Sequence, residues 1–322
     1  MSDRGEIWGV VLAGGEGRRL AEVTGSEDGV PIPKQYCALV DDRTLLRATL
    51  DRTSRLIPRQ RIVVVVAEQH RRFWHRELRE WPAENLIVQP QNRGTAAGIL
   101  LPLLEVAERD HSARVLVVPS DHHVENEGSW LASMAVSLVA VERARDRVVL
   151  LGIEPDRAET ELGWIAPQGL STAGPRGVAR FVEKPTADEA ERLAATGGLW
   201  NSFVFASRVE TLLSLYLRRQ PELLDRMVST VLPARTPLDR SRAIARLYRR
   251  LEAQDFSRDL LAGSEDALLA LTVPACGWTD LGTPDRLARV RRERAAVTPA
   301  RRRVAASGNA VAPTAALAPS PA

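Results

Sequence analysis

Only two lysines occur in the chain, and each stands directly beside a proline. Lys34 lies in PIPKQY and Lys184 in FVEKPT, while every other one of the 44 basic Lys and Arg residues is an arginine. A lysine presents a compact, localised ammonium, whereas the guanidinium of arginine is wider and planar. The two lysines therefore predict close contacts with phosphate groups, and the adjacent prolines would restrict the backbone on the approach.

A glycine-rich stretch, LAGGEGRRL (12–20), follows an apolar run near the N-terminus. Glycines let backbone N–H groups converge on phosphate oxygens, and Arg19 adds a cation where a pyrophosphate would lie. For the glycines alone, a tight strand-exit turn is an equal alternative. No Gly-Lys-Ser/Thr follows, and Leu20 stands where a dinucleotide fingerprint needs its third glycine. This spacing disfavours a dinucleotide-dependent oxidoreductase.

Two aspartates follow apolar runs that read as strands. Asp121 comes after VLVVPS and Asp280 lies in GWTDLGT. Ligands of open α/β sheets lie at the carboxyl ends of strands, and Mg²⁺ prefers carboxylate and phosphate oxygens. The pair predicts a magnesium site, although for Asp121 alone a cap of the following turn would be the favoured explanation. Structural roles are favoured for His122 and His123, because no third nitrogen or sulfur ligand stands nearby.

Two further stretches offer polar groups at the ends of predicted elements. In QPQNRGTAAG, Gly94 and Thr95 begin a predicted helix, whose free N–H groups favour an anion or a purine edge. Asn92 in the same stretch has a plain turn as its alternative. In WNSFVF, Asn201 offers an amide for sugar hydroxyls, and a strand-entry turn is an equal alternative.

The elements that must position these residues alternate along the chain. Short β-branched runs and longer amphipathic segments predict an α/β fold of the Rossmann-like, doubly wound type with a mainly parallel mixed sheet. The predicted strands include 7–13, 61–66, 85–89, 114–119, 147–153 and 267–273. The predicted helices are near 44–57, 69–80, 95–109, 129–143, 207–219 and 240–252. A catalytic domain over 5–294 is predicted to precede a disordered, Ala/Pro-rich tail over 295–322.

Composition excludes several classes of protein. The formal net charge of +3 over 322 residues argues against a dedicated nucleic-acid surface. Cys37 and Cys276 have no metal-ligand spacing and imply no disulfide framework. No apolar run approaches the roughly 20 residues that span a bilayer, and the first residues lack the order of a signal peptide. We therefore expect a cytoplasmic protein with no membrane and no nucleic-acid partner.

Nine motifs, taken in order, resemble those of the sugar-1-phosphate nucleotidyltransferases, and most closely the mannose-1-phosphate guanylyltransferases. They are LAGGEGRRL, PKQY, QPQNRGTAAG, VVPSDHH, GWI, FVEKP, WNSFVF, DFSRDLL and WTDLGT, and they span 12–283. The resemblance implies the nucleotide-diphospho-sugar transferase type of fold. It also implies that the oxygen of a sugar 1-phosphate attacks the α-phosphorus of a nucleoside triphosphate in line. The NRGT motif resembles the purine-using branch, so GTP and mannose 1-phosphate are the expected substrates and GDP-mannose the product.

The resemblance further implies a role for each matched residue. Arg19 and Lys34 would be catalytic cations, and Asp121 and Asp280 would hold Mg²⁺. The residues implied in nucleotide binding are Leu12, Gly14, Gly15, Gly17, Gln89, Asn92, Gly94 and Thr95. The residues implied in sugar-phosphate binding are Gly163, Glu183, Lys184 and Asn201. The implied partners are the two small-molecule substrates, and a homodimer is left open.

Three departures from the family pattern leave alternatives open. Arg18 replaces a usual Ser or Thr, the segment 21–32 replaces a usual Trp-Pro-Leu-Ser-Arg stretch, and Phe203 stands where glycine is usual. Another pair of nucleoside triphosphate and hexose 1-phosphate remains an alternative, as does a non-catalytic regulatory paralogue that binds a nucleotide sugar. The charged residues of the site are all present, which favours the enzyme.

Overall fold

The computed structural model describes residues 5–17, 20–169 and 174–307, with the backbone alone for 296–307. The strands are β1 (Ile7–Ala13), β2 (Ser26–Glu27), β3 (Val30–Pro31), β4 (Ile62–Ala67), β5 (Leu86–Gln89), β6 (Arg114–Pro119), β7 (Val148–Ile153), β8 (Gly163–Pro167), β9 (Arg176–Glu183), β10 (Leu199–Arg208) and β11 (Leu268–Val273). The helices are α1 (Ala21–Thr24), α2 (Leu45–Ser54), α3 (Arg71–Glu77), α4 (Gly94–Arg109), α5 (Glu127–Arg143), α6 (Ala187–Ala195), α7 (Val209–Arg219), α8 (Pro221–Val231), α9 (Pro237–Tyr248) and α10 (Pro284–Ser307).

One mixed sheet of nine strands runs through the molecule, in the order β5-β4-β1-β6-β10-β7-β11-β9-β8. Strands β5, β4, β1 and β6 are parallel to one another, and β7 is parallel to β11. Strand β10 lies antiparallel between β6 and β7, and β9 is antiparallel to β8 and β11. Strands β2 and β3 form a separate two-stranded sheet. The predicted α/β fold with a mixed central sheet is confirmed.

The central strands are apolar along their whole length because helices cover both faces of the sheet. Side chains alternate between the faces of a strand, so Val10 and Val11 of β1 point into different cores. Val10 belongs to the cluster that includes residues of α4, α7, α8 and α9. Val11 belongs to the cluster that includes residues of α2, α3 and α5. This double coverage explains why β1 and β4 read as uninterrupted apolar runs.

Helix α10 begins at Pro284 and packs on the segment that follows the glycine-rich loop. Its residues Leu287 and Val290 join a third apolar cluster with Leu20 and Leu281. The helix extends to 307, so the predicted boundary between domain and tail at 295 falls inside it. The rest of the predicted tail, 308–322, lies outside the described residues. Within the part of the chain that is described, the helices are all too short or too polar to cross a bilayer.

Candidate active site

A cavity of about 320 Å³ opens where the carboxyl ends of β1, β6, β9 and β11 meet the bent middle of β10. Many residues that the motifs singled out share its wall, although they come from distant parts of the chain. They are Leu12, Gly15, Lys34, Thr95, Asp121, Gly163, Glu183, Lys184, Asn201 and Asp280. The sheet therefore brings the predicted phosphate, metal and sugar residues to one place, as expected for an open α/β sheet.

Five residues predicted to bind the nucleotide do not line this cavity: Gly14, Gly17, Gln89, Asn92 and Gly94. Gln89 is buried, and a Cβ at Gly14 would lie 3.1 Å from its Nε2. The side chain of Asn92 accepts a hydrogen bond from the N–H of Gly94 at 3.0 Å. A Cβ at Gly94 would lie 2.1 Å from the carbonyl oxygen of Gln254, so close packing of two backbones accounts for that glycine.

Two side chains of PKQY hold the glycine-rich loop in place. The Gln35 amide donates to the carbonyl oxygens of Ala13 at 3.1 Å and Gly15 at 2.7 Å. The Tyr36 hydroxyl also donates to the oxygen of Ala13, at 3.0 Å. These bonds occupy carbonyl groups where the loop leaves β1. Neither Gln35 nor Tyr36 had a role predicted from the sequence, although both belong to one of the nine motifs.

Gly17 lets the loop pass directly over the backbone of Lys34. Its φ is 62°, and a Cβ there would lie 2.8 Å from the nitrogen of Lys34, so both the conformation and the packing require glycine. Gly17 lines a second cavity of about 270 Å³, which shares Lys34 and Asp121 with the first. Arg19, the other predicted catalytic cation, lies outside the described residues.

Lys34 joins the two segments that carry the predicted metal ligands. Its side chain is buried, with Nζ 3.0 Å from an Asp121 carboxylate oxygen, and it donates to the backbone oxygen of Asp280 at 2.5 Å. Burial is the largest single effect and acts to raise the pKa of Asp121, but the charges of Lys34 and His122 and hydrogen bonds to the carboxylate together outweigh it and hold that pKa below its usual value.

A short β-bridge places the two aspartates beside each other. His123 and Thr279 exchange backbone hydrogen bonds of 2.9 Å and 3.0 Å. Because the loop after β6 carries Asp121 and the loop after β11 carries Asp280, this pairing brings the two aspartates to the same cavity. His123 thus has a structural position.

The neighbouring histidine is packed rather than exposed. The ring of His122 meets the ring of Trp278 edge-on at 5.2 Å, and burial lowers the pKa of this histidine. Among the described residues, no group of three His, Cys, Asp or Glu side chains has a metal-holding geometry. A cation at this edge would therefore rely on Asp121 and Asp280 and on oxygens that a substrate supplies.

Arg286 of α10 is a site residue that the sequence patterns did not indicate. It is buried and donates to the carboxylates of both Asp280 and Glu159. Asp280 also accepts the N–H of Gly282 at 3.1 Å. Burial acts to raise the pKa of Asp280, but Arg286, followed by Lys34, outweighs it and lowers that pKa. Arginine is so abundant in this chain that nothing in the pattern distinguished Arg286.

The opposite end of the cavity is built around a half-buried glutamate, Glu183. Gly163 pairs with Glu183 across β8 and β9, and a Cβ on this glycine would lie 2.6 Å from a Glu183 carboxylate oxygen. The same Cβ would lie 3.4 Å from the Cβ of Asn201. Glycine is therefore required at position 163 for Gly163, Glu183 and Asn201, three of the predicted sugar-binding residues, to lie together.

The Glu183 carboxyl has a pKa near neutrality. Burial is the main cause, repulsion from Asp255 adds to it, and together they raise the pKa to about 7 against the opposing effects of Lys184 and Ser257. Asp255 also accepts a hydrogen bond from the Thr95 hydroxyl at 3.3 Å. Asp255 belongs to the DFSRDLL motif, but no role was predicted for it. The structure places it on the cavity wall.

Lys184 has a backbone conformation that non-glycine residues rarely adopt. Its φ is 50°, in the left-handed region, immediately after β9 ends at Glu183. Strain of this kind persists where surrounding structure holds it, and it is common at ligand sites. The conformation brings Lys184 to the same wall as Glu183 and Asn201.

An open α/β sheet with cations and carboxylates gathered at its strand ends is the architecture of a nucleotide-binding protein. A family model described as "Nucleotidyl transferase" matches residues 8–296. The chain belongs to this family. The resemblance drawn from the nine motifs is thereby confirmed at the level of the family.

Similar proteins agree with this assignment. The mannose-1-phosphate guanylyltransferase of Escherichia coli is 30% identical over 291 residues, which are 86% of this chain and 58% of that protein. The alginate biosynthesis protein AlgA of Pseudomonas fluorescens is 30% identical over 285 residues, 85% of this chain and 56% of that protein. The chain thus spans a little over half the length of these relatives.

A solved structure is also similar over most of the chain. The crystal structure described as mannose-1-phosphate geranyltransferase from Thermus thermophilus is 28% identical, with a TM-score of 0.76. The alignment covers 88% of this chain and 78% of that one. At this level of identity and coverage, the two proteins share their fold.

Proposed function

We propose that this protein transfers a guanylyl group from GTP to mannose 1-phosphate, releasing pyrophosphate and forming GDP-mannose. The observation that carries the proposal is the buried Lys34, which joins Asp121 and Asp280 in a cavity that also contains Lys184. Two phosphorylated reactants need cations at both ends of one cavity. The names of the sequence relatives supply the particular nucleotide and sugar.

In the proposed reaction, the protein positions the reactants and neutralises charge. The glycine-rich loop from Leu12 to Gly17 would cradle the triphosphate, with Arg19 and Lys34 facing its phosphates. A phosphate oxygen of mannose 1-phosphate attacks the α-phosphorus, the bond to the β-phosphate oxygen breaks, and pyrophosphate leaves without a covalent enzyme intermediate. Because Gln35 already fixes the loop, little reorganisation is needed as charge develops.

The sugar phosphate would bind at the other end of the cavity. Lys184 would contact its phosphate, while Glu183, Asn201 and the backbone at Gly163 would bind hexose hydroxyls. A carboxyl with a pKa near 7 can accept a hydrogen bond when ionised and donate one when protonated. The proximity of these groups on one wall supports this assignment.

The base and ribose would lie near the N-terminus of α4. Thr95 lines the cavity there, at the positive end of the helix dipole. We assign the buried Gln89, with Asn92 and Gly94, to this nucleotide end as well. Their contacts indicate that they shape the segment that carries Thr95.

A divalent cation, Mg²⁺ by preference, fits the two carboxylates. Hard cations of this kind are commonly held by one or two carboxylates together with substrate phosphate oxygens, which matches Asp121 and Asp280. When bound, it would neutralise charge on the reacting phosphates. Asp121→Asn should weaken the dependence of the rate on Mg²⁺ concentration, and an unchanged magnesium titration would argue against a metal at Asp121.

The function is tested by measuring pyrophosphate release. Purified protein is incubated with Mg²⁺, each of several nucleoside triphosphates and a panel of hexose 1-phosphates. Release that is fastest with GTP and mannose 1-phosphate supports the proposal. Faster release with another pair would identify a different nucleotide sugar as the product. No release with any pair, combined with tight binding of a nucleotide sugar, would support a regulatory protein instead.

A further inference from the structure

Strand β10 bends sharply in the middle of the sheet, where it faces the cavity. Its register against β7 shifts between Asn201 and Phe205. Within this bulge Phe203 has a φ of 59°, in the left-handed region. A bulky residue in this conformation is an outlier, and bulges commonly redirect a side chain next to an active site. The bend turns the Phe203 ring onto the cavity wall.

Side-chain hydrogen bonds hold the bend. The Asn201 side-chain oxygen accepts the N–H of Phe203 at 3.1 Å. The Ser202 hydroxyl donates to the backbone oxygen of Leu151 at 2.7 Å and accepts the N–H of Val204 at 3.2 Å. Since the oxygen of Asn201 is engaged in this way, the NH₂ of its amide is the group suited to a substrate hydroxyl. The conformation of Phe203 and the orientation of Asn201 are thus coupled.

The Phe203 ring is held by two other aromatic rings. It meets Phe205 edge-on at 6.4 Å and Phe256 at 6.3 Å, and those two rings stack on each other at 5.1 Å. Edge-to-face and stacked pairs of this kind are favourable beyond simple burial. The ring therefore forms a fixed apolar surface on a wall that also carries Glu183 and Asn201.

We propose that Phe203 is a specificity-determining residue, whose ring packs against one face of the hexose and excludes sugars with a bulky substituent on that face. The proposal rests on the proposed function, since it assumes that a sugar 1-phosphate occupies this end of the cavity. Glu183 and Asn201 on the same wall bind hydroxyls, and the ring limits the space beside them. The accepted class is therefore a plain hexose 1-phosphate, and N-acetylhexosamine 1-phosphates are excluded.

The test compares Phe203→Gly with wild type in the pyrophosphate assay. Glycine adopts positive φ without strain, so the bend is retained while the ring is removed. We expect the KM for mannose 1-phosphate to rise at least tenfold, with kcat within threefold and the KM for GTP within twofold. The preference for mannose 1-phosphate over N-acetylglucosamine 1-phosphate, measured as a ratio of kcat/KM, should fall at least tenfold.

Two further variants separate loss of the ring from relief of strain. Phe203→Asn removes the ring but keeps a residue that tolerates the left-handed region, and it should shift the KM in the same direction. Asp28→Gly relieves a φ of 51° in the turn between β2 and β3, away from the ring, and should leave every constant unchanged. Unchanged KM and an unchanged order of sugars in both Phe203 variants would overturn the inference.

The outcome is distinguishable from failure of the proposed function. If wild type turns over a hexose 1-phosphate and the Phe203 variants have the same KM values and the same order of sugars, the inference is wrong and the function stands. If wild type releases no pyrophosphate with any pair, the function is wrong. In that case calorimetric titration of mannose 1-phosphate into wild type and Phe203→Gly decides the inference, and equal affinities contradict it.

Discussion

The two ends of the cavity hold carboxyl groups whose pKa values shift in opposite directions. At the end proposed for the triphosphate, called here the phosphate end, Arg286 and Lys34 flank Asp280 and lower its pKa although burial acts to raise it. At the end proposed for the sugar phosphate, called here the sugar end, burial and the repulsion of Asp255 raise the pKa of Glu183 to about 7. Burial acts in the same direction at both ends, so the neighbouring charges decide the difference: an ion pair with Arg286 lowers the pKa of Asp280, whereas the Asp255 carboxylate adds to the effect of burial at Glu183. The carboxyl at one end therefore ionises more readily than usual, and the carboxyl at the other end titrates near neutrality.

The largest expected effect comes from removing the cation of the phosphate end. Lys34→Met leaves Asp121 without its partner at 3.0 Å and removes positive charge facing the triphosphate. We expect kcat to fall about 100- to 1,000-fold, in the range seen when one stabilising donor is lost. The fall in kcat is measured as the rate of pyrophosphate release. Arg71→Met, which removes a surface ion pair with Glu68, is the control. A loss of less than tenfold would contradict this role for Lys34.

The next effect is on stability and compares two arginines of one helix. Arg286→Met leaves Asp280 buried without its main partner, and breaking such a pair costs about 3 kcal/mol in the free energy of unfolding. Arg289→Met, one turn away in α10, removes an exposed pair with Asp156 and should cost less than about 1 kcal/mol. Urea denaturation of both variants provides the measurement. Equal losses would mean that Arg286 does not hold the phosphate end in the way described.

A smaller effect concerns the lysine at the sugar end. Lys184→Arg keeps the charge but widens the group, and we expect turnover to fall more than tenfold with the melting temperature unchanged. Lys184→Gly relieves the positive φ of 50° and should raise the free energy of unfolding by about 1 kcal/mol while activity is lost. Thermal unfolding and the pyrophosphate assay are run side by side. Near-native rates for the arginine variant would show that a compact ammonium is not required.

The smallest effect is a loss of stability as the pH rises from 4.5 to 7, which the sugar end should show. The folded pKa of Glu183, about 7, lies above its ordinary value of 4.5, so its contribution to stability is complete below pH 4.5 and is lost as the pH rises to 7. Glu183→Gln removes this loss. Relative to wild type, the variant should gain on the order of 1 kcal/mol between pH 4.5 and 7 and stay level above that. A difference that is flat with pH would mean that Glu183 titrates normally.

Much of the fold was predictable because buried strands require apolar residues. Strands β1 and β4 are covered on both faces, and their uninterrupted apolar runs predicted both strands. Helices α6 and α8 and the small sheet of β2 and β3 were not predicted. Helix α6 is short and β2 has only two residues, so their patterns are too brief to stand out. The bend in β10 could not be predicted from the sequence either, because phenylalanine rarely adopts a positive φ.

Site residues that belong to sequence motifs could be predicted. Site residues that act through tertiary contacts could not. The two lysines and the two aspartates were found from residue type and position, and the structure places them on one cavity. Arg286 and Asp255 were not found, because each acts through a partner brought near by the fold. Local patterns contain no information about such pairs. The fold brings Arg286 to the site from α10 and Asp255 from the segment between α9 and β11.

The bridge between His123 and Thr279, with helix α10 beyond it, has a consequence for how the protein matures during synthesis. Lys34 is made early, yet its contact with Asp280 and the clamp by Arg286 involve residues made near the end. A chain emerging from the ribosome can pair β1, β4, β5 and β6 long before those residues appear. The growing polypeptide can therefore hold these four strands while the contacts of Asp280 with Lys34 and Arg286 are still missing, and those contacts form only after α10 has emerged.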